Sequence, residues 1–106
     1  MVDYKTPKRD YEFILKEVLD VEKQIKGYKG YEEATWDMIE MLSDQYSEVA
    51  TDYWLPSSKD GDELGAQLKD GNVTLPPSMK AAANIIIESG LTSLFGHKEY
   101  GGMEFP

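Results

Sequence analysis

The sequence predicts an all-α protein in which three main helices are joined by a loop rich in glycine, proline and aspartate. Two observations predict this class. Apolar side chains recur at helical spacing in three separate stretches, and clusters of glycine and proline separate those stretches. A chain of 106 residues is expected to form one small domain, which buries about two-thirds of the surface that its unfolded chain exposes.

The first helix is predicted over residues 11–26. Asp10 is placed to accept hydrogen bonds from the free amides of the first turn, and Gly27 ends the pattern. Between them the apolar side chains recur at helical spacing, and they are Ile14, Leu15, Val18, Leu19 and Ile25.

The second helix is predicted from Tyr31 to about Tyr53, and it is expected to end before Pro56. Acidic residues lie largely off its apolar stripe, as in an amphipathic helix. The stripe consists of Met38, Ile39, Leu42, Tyr46, Val49 and Tyr53. We expect this helix to pack on the third helix, with contacts from Met38, Leu42, Tyr46 and Val49 to Ile86 and Ile87.

Between Pro56 and Pro77 the helical pattern fails, so no helix longer than one turn is expected there. The segment 69–72, Lys-Asp-Gly-Asn, is typical of a tight turn and predicts a small hairpin that pairs residues 67–68 with 73–74.

The third helix is predicted to open at Pro77 or Ser78 and to end at Gly90 in a left-handed conformation. Its apolar side is expected to use Met79, Ala82, Ala83, Ile86 and Ile87. The remainder, residues 91–106, is predicted to be mostly loop, and it is anchored by Leu91, Leu94 and Phe95.

The composition excludes several classes of function. The chain carries 20 acidic and 11 basic residues, a formal net charge of −9, so nucleic acid and anionic membranes are not expected as partners. It contains no cysteine, which excludes disulfides and thiolate chemistry. No stretch has the length of a membrane span or the pattern of a secretion signal. We therefore expect a cytoplasmic protein that does not insert into membranes.

A calcium loop is the first alternative that the residues raise. Asp60, Asp62 and Gly65 occupy the first, third and sixth places of a helix-loop-helix calcium loop. Leu64 and Gly71, however, stand at the fifth and twelfth places, where oxygen ligands are required. A solvated acidic connector is the simpler interpretation, and no metal-binding residue is predicted.

His97 is the only imidazole of the chain, with Ser93 and Glu99 nearby in sequence. Proximity in a glycine-rich loop does not supply the hydrogen-bonded arrangement that a catalytic triad needs. Gly101-Gly102 lacks the strand and the surrounding motif of a phosphate loop and indicates a sharp backbone bend. No catalytic or cofactor-binding residue is predicted. Four aromatic residues are assigned to the core or to a domain interface, and they are Trp36, Tyr46, Tyr53 and Trp54.

A series of short motifs follows in a fixed order through the second half of the chain. They are Leu55-Pro56, Gly61-Asp62, Gly65, Asp70-Gly71, Pro76-Pro77, Gly90, Glu99-Tyr100-Gly101-Gly102 and Pro106. This order resembles the start of the helical amino-terminal domain of acyl-CoA dehydrogenases. Two departures are Leu91, where such proteins usually carry tryptophan, and Met103-Glu104-Phe105, which replaces a triplet that usually contains glycine.

The first segment resembles the amino-terminal extension of one branch of that family, which includes enzymes that act on methylmercaptopropionyl-CoA. The resemblance lies in Tyr4, Pro7, Arg9-Asp10, Phe13, Leu15 and Glu17-Val18-Leu19. It divides the chain into an extension with the first helix, residues 1–30, and a partial helical domain, residues 31–106.

The resemblance implies that the intact protein binds FAD and oxidises an acyl-CoA thioester at its α and β carbons. In the family, the catalytic glutamate and most flavin contacts belong to later domains. We therefore expect an amino-terminal piece of such an enzyme that is not catalytic alone and binds no flavin, with the remaining domains as its partners. A stand-alone acidic helical subunit and an unrelated helical interaction module are the alternatives.

An isolated helical piece of a larger enzyme is expected to expose apolar surface that its neighbours would cover. Such surface favours self-association, which the charge of −9 opposes. The candidate side chains lie at helix ends and in the terminal loop, and they are Trp54, Leu91, Leu94, Phe95, Met103 and Phe105.

Overall fold

A computed structural model describes residues 3–106, and the protein is mainly helical with one two-stranded hairpin in that range. This confirms the predicted fold class. The first two residues of the predicted extension lie outside the described residues. Backbone contacts divide the chain into two compact units: Tyr46–Leu91 with the start of the chain, and Thr6–Gln45 with Thr92–Pro106.

The predicted first helix is interrupted. It consists of α1 (Lys8–Glu12), a π-helical segment (Phe13–Val18) and α2 (Val21–Lys26). Asp20 separates the last two with a positive φ of 46°, a conformation that costs energy for a residue with a side chain.

The prediction that Asp10 caps this helix is wrong, because α1 begins at Lys8: Pro7 is its N-cap, and Asp10 lies within its first turn. Because a proline fixes its own φ near the helical value, Pro7 favours a helix that begins at Lys8. Of the predicted apolar face, Ile14, Val18 and Leu19 are exposed.

The second helix, α3 (Trp36–Val49), begins five residues later than predicted. Successive turns precede it, in which the Tyr31 amide donates to the Tyr28 carbonyl and the Ala34 amide donates to the Tyr31 carbonyl. The Thr35 hydroxyl then accepts a hydrogen bond from the Met38 amide at 3.3 Å. A threonine in this position satisfies a free amide of the first turn, which favours a start at Trp36.

The helical path continues through Pro56, so the predicted long loop after this residue is wrong. A π-helical turn (Ala50–Trp54) follows α3, and α4 (Leu55–Leu64) follows the turn directly. Pro56 lies in the first two positions of α4, where the missing amide removes little hydrogen bonding. The Ser57 and Ser58 hydroxyls donate to carbonyls three residues earlier, at 2.9 and 2.7 Å.

The third predicted helix is confirmed as α5 (Pro77–Glu88), which packs on α4 and on the π-helical turn. The Ser78 hydroxyl donates to the Asp60 carboxylate at 2.6 Å. Gly61 allows close contact, because a Cβ added there would lie 2.8 Å from the Met79 sulfur. This pair of contacts fixes α5 along α4.

The end of α5 agrees with the prediction, but part of its predicted apolar side does not. Gly90 has a φ of +78° and follows the helix as predicted. Ala82 is buried, but Ile87 is 62% exposed, so the prediction that Ile87 packs in the core is wrong. Because the three isoleucines are consecutive, the sequence alone does not indicate which of them faces inward.

The predicted hairpin is confirmed, with β1 (Gln67–Lys69) antiparallel to β2 (Asn72–Thr74). Asp70 and Gly71 both have positive φ, 50° and 76°, as the tight hairpin turn requires. Leu68 lies directly opposite Val73, and both side chains are exposed.

The two 3₁₀ turns Leu91–Ser93 and Lys98–Tyr100 lie within the terminal segment, which is otherwise irregular as predicted. Leu91 and Leu94 are buried, so they do not belong to the exposed apolar set that was predicted. Trp54, Phe95 and Met103 are exposed. From residue 3 onward, no helix has the length and apolar character needed to cross a membrane.

Leu42 and Met41 make a matched pair for testing the α3 packing, since they are neighbours that are 7% and 52% exposed. Leu42→Ala is expected to lower the free energy of unfolding by about 2–4 kcal/mol, because it removes buried apolar contacts and leaves a cavity. Met41→Ala should change it by less than about 0.5 kcal/mol. Urea unfolding measures both, and equal losses for the two variants would contradict this packing.

Candidate functional site

The segment around His97 closes on itself through its backbone. The Met103 amide donates to the Ser93 carbonyl at 3.1 Å, and the Phe105 amide donates to the Leu94 carbonyl at 2.8 Å. Gly102 lies so close to the Gly96 carbonyl that a Cβ would overlap it. The glycine pair therefore allows a tight backbone bend, as the sequence indicated.

His97 contacts a carboxylate that the sequence analysis did not select. Its Nδ1 accepts from the Glu99 amide at 3.2 Å, and its Nε2 lies 3.1 Å from Glu104 Oε1. Glu104 also accepts from the Lys98 amide at 3.1 Å.

This geometry differs from the sequence-based candidate set of Ser93, His97 and Glu99. Glu99 offers its amide to the ring rather than its carboxylate, and Glu104 takes the place beside Nε2. Glu104 is seven residues from His97 across a glycine bend, and no sequence spacing predicts that approach. His97 thereby joins the Glu99 amide and the Glu104 carboxylate within the loop.

Glu104 is held in its charged form. The amide of Lys98 lowers the pKa of this carboxyl, with further lowering by the charges of His97 and Lys98, against an opposing effect of partial desolvation. Its φ of +49° shows that the backbone accepts an unfavourable conformation at this position.

The two aspartates that were considered for a calcium loop lie on a helix. Asp60 and Asp62 belong to α4, and Gly65 follows its end. The Asp60 carboxylate accepts a hydrogen bond from the Ser78 hydroxyl. Within residues 3–106, no group of three or more histidine, cysteine, aspartate or glutamate side chains is placed to hold a metal ion.

A cleft of about 370 Å³ lies in the unit that contains α2 and the start of α3. We name it the lysine–tryptophan cleft, and it is lined by Lys16, Asp20, Val21, Glu22, Lys23, Lys26 and Trp36. The Lys16 ammonium lies 5.3 Å from the centroid of a Trp36 ring. This distance is typical of a cation–π contact.

Glu22 organises the wall of this cleft. Its Oε2 accepts the Trp36 amide at 2.7 Å, and its Oε1 lies 2.5 Å from the Lys26 ammonium. The hydrogen bond from Lys26 lowers the pKa of Glu22 most, followed by that from the Trp36 amide. Glu22 thereby links α2 to the first residue of α3.

The other two lysines of the cleft, Lys16 and Lys23, form no such ion pair within the described residues. Throughout the part of the chain that the structure describes, neither Lys16 nor Lys23 has a carboxylate within 4.0 Å. The sequence pattern assigned Trp36 to the core or an interface and did not predict the cleft, because Asp20 interrupts the predicted first helix.

Two curated proteins are similar to nearly all of the chain. It is 31% identical over 103 residues to 3-methylmercaptopropionyl-CoA dehydrogenase of Ruegeria pomeroyi, an alignment that includes 97% of the chain. It is also 31% identical over 105 residues to butyryl-CoA dehydrogenase of Syntrophomonas wolfei, with 94% included. The predicted resemblance to acyl-CoA dehydrogenases is confirmed.

The match to these acyl-CoA dehydrogenases concerns a limited part of them. The chain spans 17% of the length of each relative. No model of a protein family matches the chain. The two relatives differ in the acyl group that their names give, so the similarity does not select one acyl-CoA over another.

Glu104 provides a test of the loop electrostatics. Because its pKa is lowered on folding, its contribution to stability is present above the ordinary glutamate value of about 4.3 and is lost as the pH falls through the lower folded value. Glu104→Gln keeps an oxygen for the Lys98 amide but cannot titrate. Its free energy of unfolding should therefore fall less steeply with acid than that of the wild type.

Urea unfolding at a series of pH values between about 6 and 3 measures this difference. Glu88→Gln, an exposed position at the end of α5, is the control and should follow the wild-type curve. Identical pH dependence in Glu104→Gln and wild type would show that the Lys98 amide does not hold the carboxylate as described.

Proposed function

We propose that this chain is the amino-terminal helical portion of a flavin-dependent acyl-CoA dehydrogenase. The supporting observation is the 31% identity to two acyl-CoA dehydrogenases across 97% and 94% of the chain. The mainly helical fold and the ordered motifs from Leu55 to Pro106 agree with it. In the whole enzyme, FAD would accept hydride from the β carbon of the acyl-CoA.

Two of the described clefts are too open to enclose a flavin. The lysine–tryptophan cleft and the groove between Leu64 and Pro77, of about 370 and 430 Å³, lie open at the surface, whereas cofactor sites enclose most of their ligand. We therefore assign the flavin contacts and the base that removes the α proton to the remaining domains. No catalytic, cofactor-binding or metal-binding role is assigned to a residue of this chain for that reaction.

The residues of this chain have structural roles in the proposal. The Ser78–Asp60 hydrogen bond and the Gly61–Met79 contact hold α5 on α4. The remaining domains of the enzyme are the proposed partners, and the cytoplasm is the proposed location.

Self-association belongs to the same proposal. Each unit exposes large apolar side chains, among them Trp54 in one and Phe95 and Met103 in the other. Sedimentation across a range of protein and salt concentrations would detect it. A monomer under all these conditions would contradict this part.

The enzymatic proposal is tested with two proteins expressed in parallel. One is the product of the reading frame continued beyond Pro106, and the other is the 106-residue chain as its matched control. The continued protein should be yellow with stoichiometric FAD and should reduce an electron-accepting dye when given an acyl-CoA. The 106-residue chain should be colourless and inactive, because the proposed flavin and base residues lie elsewhere.

Three results would contradict the proposal. A stop codon directly after Pro106 would favour the stand-alone helical subunit. A continued protein without flavin or acyl-CoA oxidation would remove the enzymatic assignment. Flavin binding by the 106-residue chain alone would show that its clefts hold the cofactor after all.

A further inference from the structure

We propose that Asp70 is a site of spontaneous modification, at which aspartate is converted to isoaspartate through a cyclic succinimide. The chain contains two Asp-Gly pairs, Asp60-Gly61 and Asp70-Gly71. A glycine after aspartate leaves the following amide nitrogen unhindered, because glycine carries no side chain. The two pairs lie in different surroundings, and only the second is open to the reaction. This inference does not depend on the proposed function.

The reaction needs no reagent other than water. The Gly71 nitrogen attacks the carbon of the protonated Asp70 side-chain carboxyl, a C–N bond forms, and the amide proton and the carboxyl hydroxyl leave as water. A second water then opens the ring. Cleavage at the side-chain carbonyl restores aspartate, whereas cleavage at the main-chain carbonyl gives isoaspartate, in which the main chain runs through the aspartate side chain.

Both reacting groups of the second pair are accessible. Asp70 and Gly71 form the exposed turn between β1 and β2, and a Cβ built on Gly71 would meet no atom within 4 Å. Within residues 3–106, the Asp70 carboxylate forms no ion pair and accepts no hydrogen bond, and the Gly71 amide donates none. No competing contact therefore holds the carboxyl away from the amide.

The hairpin that carries this turn is short and unpacked. Each strand has three residues, and all of them are exposed. A two-stranded hairpin of this kind is only marginally stable, so its pairing opens more often than that of a packed helix. Each opening gives Asp70 the backbone rotation that brings its carboxyl carbon onto the Gly71 nitrogen.

The first pair is protected by the packing of α4. The Asp60 carboxylate accepts a hydrogen bond from the Ser78 hydroxyl at 2.6 Å. Gly61 lies inside the helix, where its amide belongs to the regular hydrogen-bond pattern, and a Cβ there would lie 2.8 Å from the Met79 sulfur. Ring closure at this pair would require α4 to open and to separate from α5.

Isoaspartate would change the hairpin and little else. It adds a carbon atom to the main chain between residues 70 and 71, so the tight turn that aligns Lys69 with Asn72 no longer closes. Amide NMR signals of the modified chain should therefore shift in the hairpin and stay in place in α4 and α5. Unchanged hairpin signals would contradict this consequence.

Prolonged incubation of the folded 106-residue chain in mildly acidic buffer tests the site. Cleavage after glutamate separates the two pairs, since Asp60-Gly61 falls in the peptide of residues 49–63 and Asp70-Gly71 in that of residues 64–88. An isoaspartyl methyltransferase with radiolabelled S-adenosylmethionine then measures isoaspartate in each peptide. We expect label to accumulate at least about tenfold faster in peptide 64–88, because an exposed hairpin opens more readily than a packed helix.

Two variants with the same chemical change are the controls. Asp70→Glu keeps the charge and lengthens the side chain, which slows ring closure, so it should remove the label from peptide 64–88. Asp62→Glu makes the same change at an exposed position of α4 and should leave that label unchanged. The mass of the labelled peptide before methylation separates the source, since deamidation of Asn72 or Asn84 would raise it and the reaction at Asp70 does not.

The same incubation in urea completes the test. Once α4 is unfolded, peptide 49–63 should gain label at a rate similar to that of peptide 64–88. Equal labelling of the two peptides in the folded chain, or label in peptide 64–88 that persists in Asp70→Glu, would overturn the proposal. Label that appears in peptide 64–88 only in urea would overturn it as well, because the folded turn would then hold the two groups apart.

Discussion

The passage of the main chain through Pro56 determines the packing of α4 and α5. Within an ordinary α-helix, a proline ring clashes with the carbonyl four residues earlier and leaves it without its amide partner. Here a π-helical turn, Ala50–Trp54, precedes the proline, and the Leu55 amide donates to the Ala50 carbonyl five residues earlier. The wider turn lets α4 start where the proline stands.

Several contacts depend on that continuation. Ser57 is buried, Asp60 accepts the Ser78 hydroxyl, and Gly61 leaves room for Met79. A loop in place of α4 would not present these three positions on one side at helical spacing. Asp60, which suggested an irregular connector or a calcium loop, and Gly61, which suggested an irregular connector, are helix-packing residues.

The sequence predicted those elements whose cause is local. The hairpin follows from Asp70-Gly71, and the end of α5 follows from Gly90, because positive φ angles were needed at these positions. It did not predict α4, because the serines and glycines around Pro56 have low helix propensity and tertiary packing overrides it. Nor did it predict the break at Asp20, where an aspartate adopts a conformation that glycine usually takes.

The candidate sites also combine features that the sequence predicts with features that depend on the path of the folded chain. The glycine bend at residues 101–102 was predictable from two adjacent glycines, whereas the approach of Glu104 to His97 depends on the path of the closed loop. The lysine–tryptophan cleft depends on the Asp20 break, which brings Lys16, α2 and Trp36 around one space.

The central structural claim is that the helix resumes at Leu55 and continues to Leu64. Backbone ¹³Cα chemical shifts and amide exchange rates of residues 50–64 in solution test it most directly. We expect helical shifts on both sides of Pro56 and slowed exchange for the amides of Gly61–Leu64, with the hairpin amides exchanging faster. Coil-like shifts and fast exchange from Ser57 onward would contradict it and restore the loop that the sequence alone predicted.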